Sequence, residues 1–89
     1  HMDTVFAVDH PFQQFQWLDE GVLNGPGVAD MKGGIAVMLA ALSAAETAPE
    51  FRSVGYQVMI NSDEETGSAS SAELIKHLAQ GKVAALTYE

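Results

Sequence analysis

The pattern of hydrophobic and polar positions changes several times along the chain, and each change predicts an element. Residues 33–45 are almost all apolar and are rich in alanine, leucine and methionine, which favours a helix. A helix that is apolar on most of its faces is expected to lie buried, here against a sheet. Pro49 follows and closes this region.

Three other stretches have the pattern of strands. Residues 55–61 place large apolar side chains at every second position, which predicts a mostly buried strand. Residues 83–88 form a second apolar run of strand length, and residues 1–6 are predicted to be the end of another strand.

Turn and capping signals complete the pattern. Residues 16–23 predict a hairpin in which Gly21 takes a positive φ. The sequence Gly-Pro-Gly at 25–27 predicts a stiff turn. Residues 70–73 match a capping box that starts a second helix, and Gly81 is placed to end it.

The predicted order is strand, hairpin, helix, strand, helix, strand. This order is typical of an α/β fold with helical crossovers. No stretch of the chain is left to close both edges of such a sheet. The 89 residues are therefore predicted to be a piece of a larger domain.

Composition and charge narrow the classes of function. The net charge is −8 with only four basic residues, so the chain has no basic patch for a nucleic acid. The longest purely apolar run, residues 35–42, is too short to span a bilayer. There is no cysteine, which excludes thiolate metal sites and cysteine nucleophiles. The acidic surplus suits either solubility or cation binding.

Candidate metal ligands stand near the predicted strand ends. His1 and Asp3 lie two residues apart, so on a strand they share a face. A metal-bound imidazole usually donates its other N–H to a carboxylate, and this pair offers both partners. From these two residues alone, a surface histidine beside an acid is the alternative.

The other candidates are all carboxylates. Asp30 stands between a glycine turn and a helix start, where it can either cap the helix or bridge two metal ions. Glu64 and Glu65 follow a predicted strand, and adjacent side chains in an extended backbone point in opposite directions. One glutamate can then bind metal while the other faces a water, or both can simply precede a helix N-terminus. Glu89 ends the last predicted strand.

Several other chemistries are disfavoured. Lys32 has no glycine before it and no serine or threonine after it, so the phosphate-binding loop fails. Residues 25–30 begin like a dinucleotide-binding motif but end in aspartate. No serine-hydrolase elbow exists near residues 68–71. His10 and His77 are expected to have no role in a site.

Taken together, four segments resemble the dinuclear zinc exopeptidase and deacylase family. They are His1–Val5, Gly25–Gly34, Asp63–Ser68 and Tyr88–Glu89. That family includes bacterial glutamate carboxypeptidase, acetylornithine deacetylase, succinyl-diaminopimelate desuccinylase and aminoacylase. Residues 25–27 and Glu89 make the chain most similar to the glutamate carboxypeptidase branch. Phe6 departs from the family pattern, which often has proline after Asp-Thr-Val.

The resemblance implies a role for each candidate. His1, Asp30 and Glu89 would bind one zinc, and Asp30 and Glu65 would bind the other. Asp3 would orient His1, and Glu64 would be the general base. Cobalt or manganese could replace zinc. The family also tends to have a cis peptide bond after its bridging aspartate, which here is the bond from Asp30 to Met31.

The resemblance also implies a fold, a substrate and partners. Residues 1–89 would be part of a metallopeptidase catalytic domain, a mixed sheet flanked by helices, without the lid and dimerisation domain or the C-terminal part. The full-length protein would be a homodimeric carboxypeptidase that cleaves a peptide or N-acyl amide bond next to a free carboxylate. The 89 residues alone would be inactive. A deacetylase or desuccinylase and a non-catalytic metal-binding homologue are the alternatives. The compartment is open between the cytoplasm, which is favoured, and the periplasm.

Overall fold

A computed structural model describes all of residues 1–89. The regular elements are strands β1 (Gln16–Asp19) and β2 (Val22–Asn24) and helices α1 (Gly33–Ala45) and α2 (Ala72–Ala79). A turn at Val28–Lys32, in which Asp30 and Met31 have non-helical φ and ψ, precedes α1, and short 3₁₀ turns lie at Pro49–Ser53 and Glu64–Thr66. Two helices and a two-stranded antiparallel sheet are consistent with a piece of an α/β domain.

The predicted hairpin is confirmed. β1 and β2 pair antiparallel, with Trp17 opposite Leu23 and an irregularity between Trp17 and Asp19. Gly21 has φ 79°, the left-handed conformation that a glycine adopts without a steric penalty. The stiff turn predicted at residues 25–27 follows directly, and it leads into the turn at Val28–Lys32 before α1.

Helix α1 begins and ends at the predicted residues, but its predicted burial is wrong. None of the 13 residues from Gly33 to Ala45 is buried, and Val37 and Leu39 are more than half exposed. Its alanine-rich sequence fixes the helix locally, whereas burial requires a second layer of structure. These residues supply no such layer.

The predicted strands at 1–6, 55–61 and 83–88 are not formed, and neither is the mixed sheet. One backbone hydrogen bond, from Met2 N–H to Asn61 O at 2.9 Å, joins the first two segments, and none joins residues 83–88 to a neighbour. A strand exists only through a ladder of hydrogen bonds to its neighbours. The alternating pattern therefore indicates a tendency to form a strand, but no neighbouring strand pairs with these segments.

Helix α2 starts without the predicted capping box. Its first turn has no hydrogen bond from a capping serine side chain or from Glu73. The carboxylate of Asp63 instead accepts the backbone N–H groups of Ser70 and Ser71, the two residues before the helix. The other end agrees with the prediction, because Gly81 has φ 71° just after the helix.

The molecule is a thin layer of 46 × 35 × 12 Å. Only Gly27 and Met31 are buried, and Met31 is the one buried hydrophobic side chain. Both lie in the turn that leads into α1, so the best-packed part of the chain is the turn that holds Asp30.

Residues 28–45 have the length and mean hydropathy, 1.5, of a membrane-spanning helix. The regular helix α1 covers only 13 of these residues. At 1.5 Å per residue it is about 20 Å long, shorter than the ~30 Å hydrocarbon core of a bilayer. Asp30 and Lys32 occupy the non-regular end, so this geometry does not favour a span.

Candidate metal centre

His1 lies at the centre of the candidate site. Its side chain is 1% exposed, and its Nδ1 lies 3.1 Å from Oδ1 of Asp3. The second oxygen of Asp3 accepts the backbone N–H of Glu65 at 3.0 Å. Asp3 thus fixes the imidazole ring and, with its other oxygen, the start of the Glu64–Thr66 turn. With Nδ1–H donated to Asp3, Nε2 is left to meet other groups.

The pKa values of this pair support an ionised carboxylate beside the ring. Burial alone would raise the pKa of Asp3, but hydrogen bonds from backbone N–H groups and from His1 outweigh it and lower that pKa. Burial alone would also lower the pKa of His1. The hydrogen bond to Asp3 and the negative charge of Glu64 reverse this effect, so the pKa of His1 lies above its usual value.

Three further carboxylates surround Nε2 of His1. Their oxygens lie at 3.1 Å, 3.5 Å and 3.7 Å and belong to Asp30, Glu64 and Glu89 respectively. Every ion pair in the chain includes His1. A single imidazole carries at most one positive charge, so the cluster holds more negative charge than the protein itself neutralises.

These spacings fit the coordination sphere of a metal ion. Two atoms each bound at 2.0–2.1 Å to one tetrahedral zinc are about 3.3 Å apart. The separations of 3.1–3.7 Å around His1 Nε2 bracket that value. The donor set of imidazole nitrogen and carboxylate oxygen is also the one that zinc, cobalt and manganese accept.

The ligand atoms form two overlapping groups, each within 4.8 Å. One contains His1, Glu64 and Glu89, and the other contains His1, Asp30 and Glu65. All six predicted site residues therefore come together, with Asp3 behind the imidazole. The grouping differs from the expected ligand sets in two respects. Glu64 lies beside Glu89 where Asp30 was expected, and His1 also belongs to the group of Asp30 and Glu65.

Backbone geometry positions Asp30. Gly27, at φ 67°, accepts the N–H of Lys32 through its carbonyl at 2.8 Å and closes the turn. The peptide bond from Asp30 to Met31 is cis, as the resemblance implied. Asp30 does not cap a helix, since its Oδ1 lies against His1 and the cap position of α1 is Lys32. The helix-cap interpretation of Asp30 is thus excluded.

Two close approaches join this turn to the other segments. Lys32 Nζ donates to the carbonyl of Met2 at 3.1 Å, between His1 and Asp3. At Gly34, a Cβ atom would lie 3.0 Å from the carbonyl oxygen of Glu89. The glycine there lets the backbone of Glu89 approach the start of α1, which places the Glu89 carboxylate near His1.

Asp63 holds the loop that presents Glu64 and Glu65, and sequence reasoning gave it no role. Its carboxylate accepts five hydrogen bonds, from groups of Asn61, Ser70 and Ser71. Hydrogen bonds from the Ser70 and Ser71 hydroxyls are the main reason that the pKa of Asp63 lies far below its usual value. The available signal was an aspartate with serines seven and eight residues later.

A small cavity adjoins the cluster. It has a volume of about 150 Å³, and its walls include Asp30, Glu65 and the apolar side chains of Val5 and Phe6. His10 and His77 take no part in the cluster. The ring of His10 instead accepts the N–H of Phe12 at 3.0 Å.

Comparison with known proteins identifies the family. The model of peptidase family M20/M25/M40 matches residues 1–88, which is nearly the whole chain. The chain therefore belongs to this family, whose members are metal-dependent hydrolases of the peptidase class that typically bind zinc. No curated protein and no solved structure matches the chain.

Proposed function

We propose that this member of the M20/M25/M40 peptidases contributes the water-activating half of a dinuclear zinc site that hydrolyses an amide bond next to a free carboxylate. One observation carries the proposal. Carboxylates from three distant segments meet around the outward-facing nitrogen of His1, while a fourth carboxylate, Asp3, fixes the ring from behind.

The proposed metal ligands are His1, Asp30, Glu65 and Glu89. Asp30 and Glu65 lie in one ligand group with His1, and Glu89 lies in the other. Two zinc ions held here would polarise the scissile carbonyl and lower the pKa of a bound water toward ~7. Asp3 keeps the His1 ring oriented, and through its second oxygen it also fixes the backbone of Glu65.

Glu64 is the proposed general base. Its carboxylate is 45% exposed, and its one ion pair is with Nε2 of His1 at 3.5 Å. A general base needs an oxygen within hydrogen-bond reach of the attacking water that is not consumed by structural hydrogen bonds. Glu64 meets that requirement: it would accept the water proton and pass it to the leaving amine.

The proposed substrates are peptides and N-acyl amino acids with a free carboxylate beside the scissile bond, as for a glutamate carboxypeptidase. The similarity of residues 25–27 and Glu89 to that branch supports this choice. Deacetylation or desuccinylation of a small molecule is the alternative within the same chemistry. Parallel assays of glutamyl peptides, N-acetyl amino acids and N-succinyl amino acids would separate them.

The test uses Glu64→Gln and Glu65→Gln in the native protein that contains these residues. Glu64→Gln should lower kcat by about 10²–10⁴-fold, the usual contribution of a general base. Its metal content should stay near that of the wild type. Glu65→Gln should bind less metal, because a ligand is lost. Metal content by elemental analysis and steady-state kinetics are the two measurements.

Glu73→Gln is the matched control, since Glu73 is an exposed glutamate of α2 outside every ligand group. It should leave kcat and metal content unchanged. If Glu64→Gln loses metal and Glu65→Gln keeps it, the two roles are reversed. A wild-type protein that binds metal but hydrolyses none of the three substrate classes would favour a non-catalytic homologue.

A further inference from the structure

We propose that Asp63 is a positioning residue that sets where Glu64 and Glu65 stand relative to His1, by tying their loop to Ser70 and Ser71, the two residues that precede helix α2. The proposal rests on the proposed function, because it concerns the presentation of the same two glutamates. It assigns a task to a carboxylate that itself faces no ligand group.

The side chain of Asp63 reaches forward across the loop. Oδ2 accepts the backbone N–H of Ser70 at 2.8 Å, the hydroxyl of Ser70 at 2.5 Å and the backbone N–H of Ser71 at 3.0 Å. Oδ1 accepts the hydroxyl of Ser71 at 2.6 Å. The backbone N–H groups of the two residues that precede α2 are thus bound by a carboxylate seven and eight residues upstream.

The backbone of Asp63 closes the same loop from inside. Its carbonyl accepts the N–H of Thr66 at 3.3 Å and the N–H of Ser68 at 2.7 Å. Glu64 and Glu65 therefore lie within a turn whose far side is hydrogen-bonded back to Asp63. Gly67 and Ser68 take left-handed φ values of 89° and 54°, which let the chain turn back toward that carbonyl.

Asn61 joins this loop to the segment that holds His1. Its side-chain amide donates to Asp63 Oδ1 at 3.2 Å, while its carbonyl accepts the N–H of Met2 at 2.9 Å. The loop and the His1 segment meet at two places, this one and the bond from Glu65 N–H to Asp3. Without the Asp63 carboxylate, the loop would keep the bond from Glu65 to Asp3 and the contacts of the Asn61 amide with the hydroxyls of Ser68 and Ser71 at 3.3 Å and 3.2 Å.

The test compares Asp63→Ala, Asp63→Asn and the double variant Ser70→Ala/Ser71→Ala in the native protein. Asp63→Ala should weaken zinc binding by roughly 10–100-fold, the usual cost of losing a residue that orients metal ligands. Asp63→Asn keeps one acceptor oxygen and should recover part of the loss. The serine double variant should fall between wild type and Asp63→Ala, and it should add no loss in the Asp63→Ala background.

Two measurements distinguish an effect on the position of Glu64 and Glu65 from an effect on the overall stability of the protein. Zinc affinity is determined by chelator competition well below the unfolding midpoint of each variant. Amide hydrogen exchange of Glu65 and Ser68 is followed in the metal-free protein and should speed up in Asp63→Ala. Asp19→Asn is the matched control, because Asp19 also accepts a backbone N–H, that of Glu20 at 2.7 Å, but in the hairpin. It should change neither quantity.

Each outcome decides the matter. Zinc affinity and exchange that are unchanged in Asp63→Ala, with only a lower unfolding midpoint, would overturn the positioning role. If Asp63→Ala does not fold, the serine double variant gives the answer by the same two measurements. A wild-type protein without zinc affinity contradicts the proposed function itself, whereas zinc binding that is indifferent to Asp63 contradicts this inference alone.

Discussion

Two loops bring carboxylates to His1, and they are held in different ways. The loop of residues 61–71 is fixed mainly by side chains, with the Asp63 carboxylate as the common acceptor. The turn of residues 25–34 is fixed by its backbone, with Gly27 in a left-handed conformation and Met31 buried beneath. Neither loop uses the carboxylates that lie beside His1 for its own support.

The carboxylates that support the site also differ in exposure from the carboxylates that are proposed to bind metal. Asp3 is 17% exposed and accepts hydrogen bonds on both oxygens. Asp30 and Glu89 are 63% and 73% exposed, and each forms its one ion pair with His1. The protein thus satisfies the groups that hold the site and leaves the groups that would bind metal without other partners. The two loops should therefore respond to different kinds of substitution.

The largest effect is expected at Gly27. Gly27→Ala puts a Cβ at φ 67° and within 2.6 Å of Lys32 Nζ, so the turn is strained and the lysine must move. A left-handed alanine costs about 1–2 kcal/mol. The free energy of unfolding of the native protein, measured by denaturant titration, should fall by at least that amount, and zinc affinity should fall with it.

Two other glycines separate the causes. Gly21→Ala has the same left-handed strain at φ 79° but meets no atom within 4 Å, so it should lower stability without affecting zinc. Gly55→Ala has neither feature and should be close to neutral. If Gly27→Ala changes zinc affinity no more than Gly21→Ala does, backbone packing does not hold the turn of residues 25–34.

A smaller effect is expected at Lys32. Lys32→Met keeps the length of the side chain but removes the hydrogen bond from Nζ to the carbonyl of Met2. One such bond contributes about 1 kcal/mol, so zinc affinity should fall roughly fivefold. Lys76→Met on the exposed surface of α2 is the control. Equal affinities for both variants would mean that the turn does not use this side chain to hold the His1 segment.

The smallest effect is expected for a side-chain bond away from the site. The hydroxyl of Tyr56 donates to Glu46, and this bond, with some burial, raises the pKa of Tyr56 above 10.0. The bond therefore stabilises the fold below pH 10 and is lost as the pH rises through the raised pKa. Tyr56→Phe should remove this alkaline loss of stability. If the free energy of unfolding changes equally between pH 8 and pH 11 in the wild type and in Tyr56→Phe, this prediction is contradicted.

Local features were predictable from the sequence where neighbouring residues decide them. The bounds of α1, the positive φ of Gly21 and the glycine after α2 follow from helix propensity and turn chemistry. The chemistry of the candidate ligands also followed from residue type. His1, Asp30 and Glu65 gather in one group although nothing in their own segments requires it.

Features that depend on partners could not be predicted in the same way. The alternation at 55–61 is that of a strand, yet a strand needs neighbours, and this segment has one backbone hydrogen bond to Met2. The serines at 70–71 suggested a cap made within the helix. Asp63 instead supplies the acceptor, because the loop folds back over seven residues. The residue types at positions 70–71 do not indicate that their acceptor lies seven or eight residues earlier in the sequence.

The sequence separation within the site has a consequence for folding kinetics. His1 meets Asp30 across 29 positions, and Asp3 meets Glu65 across 62. Contacts of such long range form slowly, because loop closure must precede any stabilising contact. No early folding intermediate with only local structure would contain the complete ligand set. Metal capture should therefore follow the last steps of chain assembly, and the rate of metal uptake during refolding would report on the finished tertiary structure rather than on helix formation.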